Sequence, residues 1–465
     1  MKALLVDEVK NVLRAEAKTA IRKGLITGVT IDSRAVGAGN LFVAIRGERF
    51  DGHDFITEAV GAGAFAVLID RNVPLSDAIK QSGAVVLKVE DTIKAMGGLA
   101  RFYRRNLCSG VHVVAVTGSN GKTTVREMIY HVLSKYKKGH RSPRNFNNNI
   151  GVPLTIFGIE SDYEFAVLEI GSNAPGEVAE LARIAEPDVA VITSVGPSHL
   201  EGLKDVDGVS AEKVSIVVGL KERGLIVCGT DHQPTLEKAR TLSRHVVTFG
   251  LDANCDVFAS NVRREDGGIR FETNDRYEVW LPMVGLHNVK NALAALAVVR
   301  RLGVSSQQFA SAMEDFQPVP GRMVCKKVNG ITIIDDTYNA NPVSMAAAVK
   351  ELCDFEQACR RVLVCGDMGE LGQASGQYHQ QLGRDVAGSN IDLLLTVGPQ
   401  AALTADAALE AGMGRADIMR CKDSKRMARL IKSMLFDGDV VLVKGSRMME
   451  MEKVIVSLQR WKGRT

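Results

Sequence analysis

Residues 111–133 read VHVVAVTGSNGKTTVREMIYHVL. The opening VHVVAV has the length and apolar composition of a buried strand. A tight loop with Gly118 and Gly121 follows, then Lys122, Thr123 and Thr124, and then a helical pattern. A strand feeding a glycine loop and a helix N-terminus builds a phosphate cradle. Backbone N–H groups point at the anion, a lysine neutralises its oxygens and a threonine hydroxyl can ligate Mg²⁺. The loop is not the common GxxxxGK[ST], which would put a glycine where the chain has Val116; it is a shorter TGxNGKTT form. An ordinary turn that happens to hold Gly-Lys-Thr is the competing reading, and the strand before it and helix after it disfavour that reading.

Working outward, the buried runs FAVLEI (165–170), VAVITSV (189–195) and LIVCG (225–229) alternate with helical stretches, the rhythm of a parallel sheet flanked by helices. Residues 253–284 read as an inserted β-rich segment around the turn EDGG, and the helix NVKNALAALAVVRRLG follows at 288–303. PVPGRM (318–323) breaks the pattern like a linker. Beyond it ITIIDD, RVLVCGD, LLLTVG and DVVLVKGS recur between helices with Rossmann-like periodicity. Before residue 108, LITGVTID, LFVAIRG, AFAVLID and AVVLKVE read as short strands, and DTIKAMGGLARFYRRN as a helix leading out. The expectation is an α/β protein of three domains: a small α/β module (1–107), a central parallel-sheet phosphate-loop domain (108–316) and a Rossmann-like domain (317–465). A length of 465 residues suits three units at roughly 150 residues each.

Composition narrows the functional classes. Hydrophobic residues are 46% and charged residues 24%, ordinary for a globular chain, and the apolar runs are too short to cross a bilayer. The N-terminus MKALLVDEVKNVLRAEAK carries acidic residues and no long apolar core, so it does not read as a secretory signal, and a cytoplasmic location is expected. A net charge of +4 without a basic block argues against a nucleic-acid partner. The eight cysteines form no CxxC pair and several sit in apolar runs, so buried free thiols are expected.

Glu169 closes the strand FAVLEI at the sheet edge that also carries the phosphate loop, the edge where open α/β sheets bind ligands. His199 follows the next buried strand in a turn rich in glycine, proline and serine. With the Thr123 hydroxyl, these groups would make a Mg²⁺ site beside nucleotide phosphates. Taken singly, Glu169 reads equally as a capping carboxylate and His199 as a loop histidine.

Seven segments, TGSNGKTT, LEIGSNAPGE, SVGPSHLEG, GLHNVKNALAA, PGRM, DDTYNANP and VLVKGSR, together resemble in order and spacing the motifs of the Mur ligase family, the ATP-dependent amino-acid ligases of peptidoglycan precursor synthesis. The resemblance covers nearly the whole chain. IDSRAVGAGNLFVAIRGERFDGHDF, NFNNNIGVPLT and DDTYNANP look like the branch that joins D-Ala-D-Ala to UDP-N-acetylmuramoyl-tripeptide. The alternative is the diaminopimelate- or lysine-adding branch, which usually carries DYAHTP where this chain has TYNANP.

The resemblance implies ATP and Mg²⁺ as cofactors. It makes Gly118, Ser119, Asn120, Gly121, Lys122, Thr123 and Thr124 the ATP phosphate loop, with Lys122 and His199 catalytic and Thr123, Glu169 and His199 on the metal. Asn288 would meet the adenine side, and Arg322 and Asp336 of the third domain the phosphate and ribose. Without the family, Asn288 reads as a helix cap and the other two as surface charges. Asn148 or Asn149 would lie near the γ-phosphate. Ser33 and Arg34 fit the position that holds the UDP part of the precursor, with Gly47, Asp51, Gly52 and His53 shaping that site or merely forming a turn. Asn339, Asn341, Lys444 and Arg447 are candidates for the incoming dipeptide and reacting phosphate. Lys213, in DGVSAEKVSI, reads on its own as a solvated charge or an ion-pair partner of Glu212 or Asp207. The resemblance makes it a lysine carbamoylated by CO₂ that serves the metal site.

A monomer is expected, with the third domain closing when ATP binds. Two other classes compete: a nucleotide-switch protein, which would need an absent NKxD motif, and a non-catalytic paralogue, which would be expected to have lost Lys122, Glu169 or His199.

Overall fold

The computed structural model describes residues 1–461 apart from 75, 244, 266, 356 and 357. Asp266 of the EDGG turn therefore lies outside the described residues. Three α/β sheets carry the chain, with a small hairpin, Leu4–Leu5 against Leu25–Ile26, beside the first.

The first sheet has five strands, ordered Glu16–Ala17, Val85–Lys88, Ala66–Ile69, Asn40–Val43 and Gly28–Thr30, parallel except at its Glu16 edge. The central sheet has nine strands, and its strand His112–Thr117 lies between Phe165–Glu169 and Val189–Ile192, both parallel to it. Strand order reverses there, which opens a crevice at the carboxyl edge. Register places the chemistry on that edge: Glu169 stands beside Val116, and Ile192 beside Thr117.

The segment read as an insertion is a continuation of this sheet. Val257–Glu265 pairs in parallel with Val246–Gly250, and Gly268–Thr273 and Glu278–Leu281 then add antiparallel strands. Alternating polarity had indicated strands but not their neighbours. The third sheet has six strands, parallel except for Val324–Val328 at its edge, with Ile331–Asp336 and Asp439–Lys444 side by side. No helix among the described residues is long and apolar enough to cross a membrane. Cys108, Cys228, Cys255, Cys365 and Cys421 are buried as free thiols, but Cys325 and Cys353 are half-buried and Cys359 is exposed, which corrects the expectation for those three.

The exit helix Thr92–Leu107 joins the first two sheets into one body. One continuous apolar core runs from Leu41, Leu68 and Val85 through Met96, Leu99 and Tyr103 to Val113, Leu168 and Leu181. At its end Arg104, with no exposed surface, donates to the carbonyls of Ala185, Cys108 and Glu186 and to Asp188 Oδ2 at 3.0 Å. Asp188 also accepts from the backbone of Val113 and from Lys221. Deleting Arg104 takes a donor from the carbonyls of Ala185, Cys108 and Glu186, while Asp188 keeps Lys221 as its partner. Arg104→Ala is expected to cost about 3 kcal/mol, about 1 for each carbonyl that loses its donor, read by urea denaturation as early loss of the first two sheets together. A loss below about 1 kcal/mol, the range of a surface ion pair, would contradict the clamp.

Candidate active site

The phosphate loop is shaped by two glycines that no other residue can replace. Gly118 (φ +142°) would set a Cβ 2.1 Å from Thr193 Oγ1, and Gly121 (φ +83°) would set one 2.3 Å from Asn291 Oδ1. Gly121 caps the helix Lys122–Ser134, whose first N–H groups face the cleft. Lys122 curls back so that Nζ donates to the Gly118 carbonyl at 2.7 Å. Burial pushes its pKa below the usual lysine range, while Glu169 pulls the other way.

Thr123 is the meeting point. Its hydroxyl donates to Glu169 Oε2 at 2.9 Å and accepts from Arg322 Nη2 at 2.9 Å, so the third domain already reaches the loop. Asn341 Nδ2 donates to Asn120 Oδ1 at 2.8 Å beside it. Residues on either side of the linker therefore meet directly at the loop. Two groups around Glu169 were not foreseen: Arg126 Nη1 donates to Oε2 at 3.0 Å, and Asn147 Nδ2 to Oε1 at 3.0 Å. Arg126 lies one helical turn after Thr123 on the same face, a spacing that could have flagged it.

The three consecutive asparagines divide their work. Asn147 holds Glu169, whereas Asn148 Oδ1 accepts from the backbones of Ile150 and Gly151 at the start of the next helix. All three line the cavity, and Asn149 does so without a side-chain hydrogen bond among the described residues. Asn288 is not the cap of its helix, which starts at Leu286 with Gly285 as N-cap. Its buried amide instead donates to the Val284 carbonyl at 2.7 Å and accepts from Asn291.

Asp336, read without the family as a surface charge, is half-buried and pairs at 2.5 Å with the buried Lys444, which also donates to the Asn339 carbonyl. Asn341 caps the helix Pro342–Cys353 while contacting Asn120. Arg447 lines the cleft and pairs with Glu452. Lys213 is not a solvated charge. It is 1% exposed, and its Nζ donates to Ser172 Oγ at 2.7 Å. Burial first, and then the Lys122 charge, pull its pKa down to about 7. Glu212, one expected ion-pair partner, instead accepts from the backbones of Gly176 and Val178 at a helix start.

Apart from Lys213, which stands behind its partner Ser172, most of these groups surround one cavity of about 1520 Å³, large enough for several substrates at once. Ser119–Thr124, Glu169, Ser172, His199, Asn288, Arg322, Asp336, Asn339, Lys444 and Arg447 line it. Ser33, Arg34 and Gly47 do not. Arg34 is tied to Asp32 at 2.8 Å on an exposed turn, and His53 is buried between Asp51 (2.6 Å) and Asp70 (3.2 Å). The first-domain candidates thus stand apart from the central cleft. Among the described residues no three His, Cys, Asp or Glu side chains converge as a metal cage. The pairing of the Thr123 hydroxyl with the Glu169 carboxylate at a helix N-terminus nevertheless fits Mg²⁺, which takes one or two hard oxygen ligands from protein and the rest from phosphates and water.

Family descriptions follow the chain in order: "Mur ligase family, catalytic domain" matches residues 25–104, "Mur ligase middle domain" 116–299 and "Mur ligase, glutamate ligase domain" 321–447. The UDP-N-acetylmuramoyl-tripeptide–D-alanyl-D-alanine ligases of Bacillus subtilis and Escherichia coli are each 36% identical to it, covering 93% of this chain and 93% and 94% of theirs. The chain belongs to the Mur ligase family. Among solved structures, MurF from Acinetobacter baumannii superposes with a TM-score of 0.89 at 31% identity, over 99% of this chain and 100% of that one. MurF from Thermotoga maritima in complex with ADP gives 0.82 at 30%, over 93% and 97%.

The asparagine run of this Mur ligase offers a three-way test. Asn147→Ala is expected to raise the Mg²⁺ concentration for half-maximal activity and to cut turnover roughly 10–100-fold. Asn148→Ala should cost about 1 kcal/mol of stability through its lost cap, with turnover little changed. Asn149→Ala should raise the KM for ATP. Steady-state kinetics and thermal melts on the three variants check the assignment, and equal effects would refute it.

Proposed function

We propose that this Mur ligase uses ATP to activate the terminal carboxylate of UDP-N-acetylmuramoyl-tripeptide and joins it to the amine of D-Ala-D-Ala, a step of peptidoglycan precursor synthesis. The observation that carries the reading is the phosphate loop closed by Arg322 and Asn341 of the next domain, in a chain that aligns over 93% of its length with ligases of that name. The TYNANP segment, in place of DYAHTP, favours the dipeptide over a free diamino acid.

The chemistry follows from what a carboxylate lacks. It is a poor electrophile at neutral pH, so its oxygen attacks the γ-phosphorus, the bond to the β-phosphate oxygen breaks, and ADP leaves an acyl phosphate. The dipeptide amine then attacks the carbonyl carbon, loses a proton, and phosphate departs as the amide forms. The loop N–H groups and Lys122 hold the β- and γ-phosphates, and Arg322 adds positive charge where negative charge develops. Thr123, Glu169 and His199 would hold Mg²⁺, which supplies charge neutralisation on the phosphates. The closed third domain excludes water that would hydrolyse the acyl phosphate. Ser33 and Arg34 remain the candidates for the UDP end, reached from the separate first sheet. All the named groups come from one chain, so the reading needs no second copy. The substrates, ATP and a nucleotide-linked sugar peptide, place the reaction in the cytoplasm.

Phosphate release from ATP is expected to require both UDP-N-acetylmuramoyl-tripeptide and D-Ala-D-Ala. Release with the dipeptide-level precursor and a free diamino acid would move the assignment to the other branch.

Lys213 is proposed to be carbamoylated. Only a neutral amine attacks CO₂, and burial that brings its pKa to about 7 makes that form available. The product is an anion, which turns repulsion by Lys122 into attraction and gives the metal site a carboxylate-like group. Lys213→Ala should nearly abolish ligation with the fold intact, and acetate or propionate should partly restore it. Near-wild-type turnover of the variant in CO₂-depleted buffer would refute the role.

A further inference from the structure

The turn that carries His199 and a loop of the third domain, GDMGELG (366–372), meet in a way that the reaction as written above does not use. His199 and Glu370 face each other across the domain boundary with Nδ1 and Oε2 2.5 Å apart, an ion-pair contact in which the buried Nδ1 makes no aligned hydrogen bond, and both hold left-handed backbones, φ 52° and 61°. Such conformations are costly for non-glycine residues and persist where the surroundings enforce them, most often at functional sites. Here the surroundings are visible. Leu200 packs against the apolar core of the third domain, to which Leu371 and Met368 belong. Glu201 donates its backbone N–H to the Glu370 carbonyl, and Gly372 (φ +54°) lies so near that a Cβ there would stand 3.5 Å from Glu201 Cα.

We propose that Glu370 is a positioning residue that reaches His199 only when the third domain is docked. The negative carboxylate beside Nδ1 favours the proton on that nitrogen, and a small turn of the ring would align the bond and leave Nε2 with its lone pair for the metal and nucleotide side. A ligating histidine commonly has its other nitrogen held by a carboxylate, which sets both tautomer and ring orientation. In this chain the carboxylate comes from a different domain, so docking and histidine orientation are one event. The anchor for that event is Leu200, the residue next to the histidine.

The inference rests on the reading of His199 as an active-site group, and its test has an arm that needs no substrate. In the resting, metal-free enzyme, ¹⁵N shifts of labelled histidine, assigned with His199→Gln, should show His199 protonated on Nδ1. Glu370→Ala should shift it toward the other tautomer. In the assay Glu370→Ala should lower kcat roughly 10–100-fold and raise the Mg²⁺ needed for half-maximal activity, with the KM for D-Ala-D-Ala unchanged. Glu370→Gln, whose amide oxygen can still accept from Nδ1, should recover most of the loss. A Gln variant as impaired as Ala, unchanged kinetics in Ala, or an unchanged tautomer despite lost activity would each overturn the proposal. A wild-type enzyme indifferent to D-Ala-D-Ala would instead overturn the proposed function and leave the resting ¹⁵N result standing.

Discussion

Everything in the cleft depends on the hydroxyl of Thr123, which donates to Glu169 on one side and accepts from Arg322 on the other. One small polar group ties the phosphate loop to the neighbouring strand of its own sheet and to the following domain. Its position is inherited from backbone geometry, because Gly121 in the left-handed region starts the helix on which Thr123 is the second residue. The strand register then brings Glu169 level with Val116. A shift of one residue would turn the carboxylate to the opposite face of the sheet and empty the site.

Local chemistry was legible in the sequence wherever it followed from a strand ending at a loop. The phosphate loop, Glu169 and His199 stood out because a buried strand followed by small residues delivers a side chain to one sheet edge. Long-range partners were not legible. Asn147 finds Glu169 across 22 residues, and Arg322 finds Thr123 across 199, and no periodicity encodes such meetings; Arg322 was placed by its PGRM motif alone. Lys213 illustrates the same limit. A lysine in a helical stretch of ordinary polarity reads as solvated, yet four other buried residues, Val209, Ser210, Glu212 and Val214, sit on its own helix. The β-rich run at 257–281 was legible as strands but not as an extension of the central sheet, since pairing is settled by neighbours that alternation does not name.

The contrast between the two domain boundaries is also physical. Between the first and second sheets lie a shared apolar core and the buried Arg104. Between the second and third the contacts are mostly polar, Thr123 with Arg322, Asn120 with Asn341, His199 with Glu370 and Arg264 with Glu351 and Asp354, with Leu200 as an apolar anchor on the third core. Polar contacts exchange with water at little net cost, so separating the second boundary costs less than separating the first, whose apolar core is continuous.

The shared core has a consequence for the newborn chain. Arg104 and Asp188 are 84 residues apart, and the ribosome adds about 5–20 residues per second. The exit helix, with Met96, Leu99, Tyr103 and Arg104, is therefore fully covered only when Leu181 and Asp188 have been made, roughly 4–17 s after Arg104. During that interval the amino-terminal third is a half-finished object with a greasy flank, a substrate for holdase chaperones. Truncation of the gene shortly after codon 107 would be expected to yield insoluble product rather than a free-standing module.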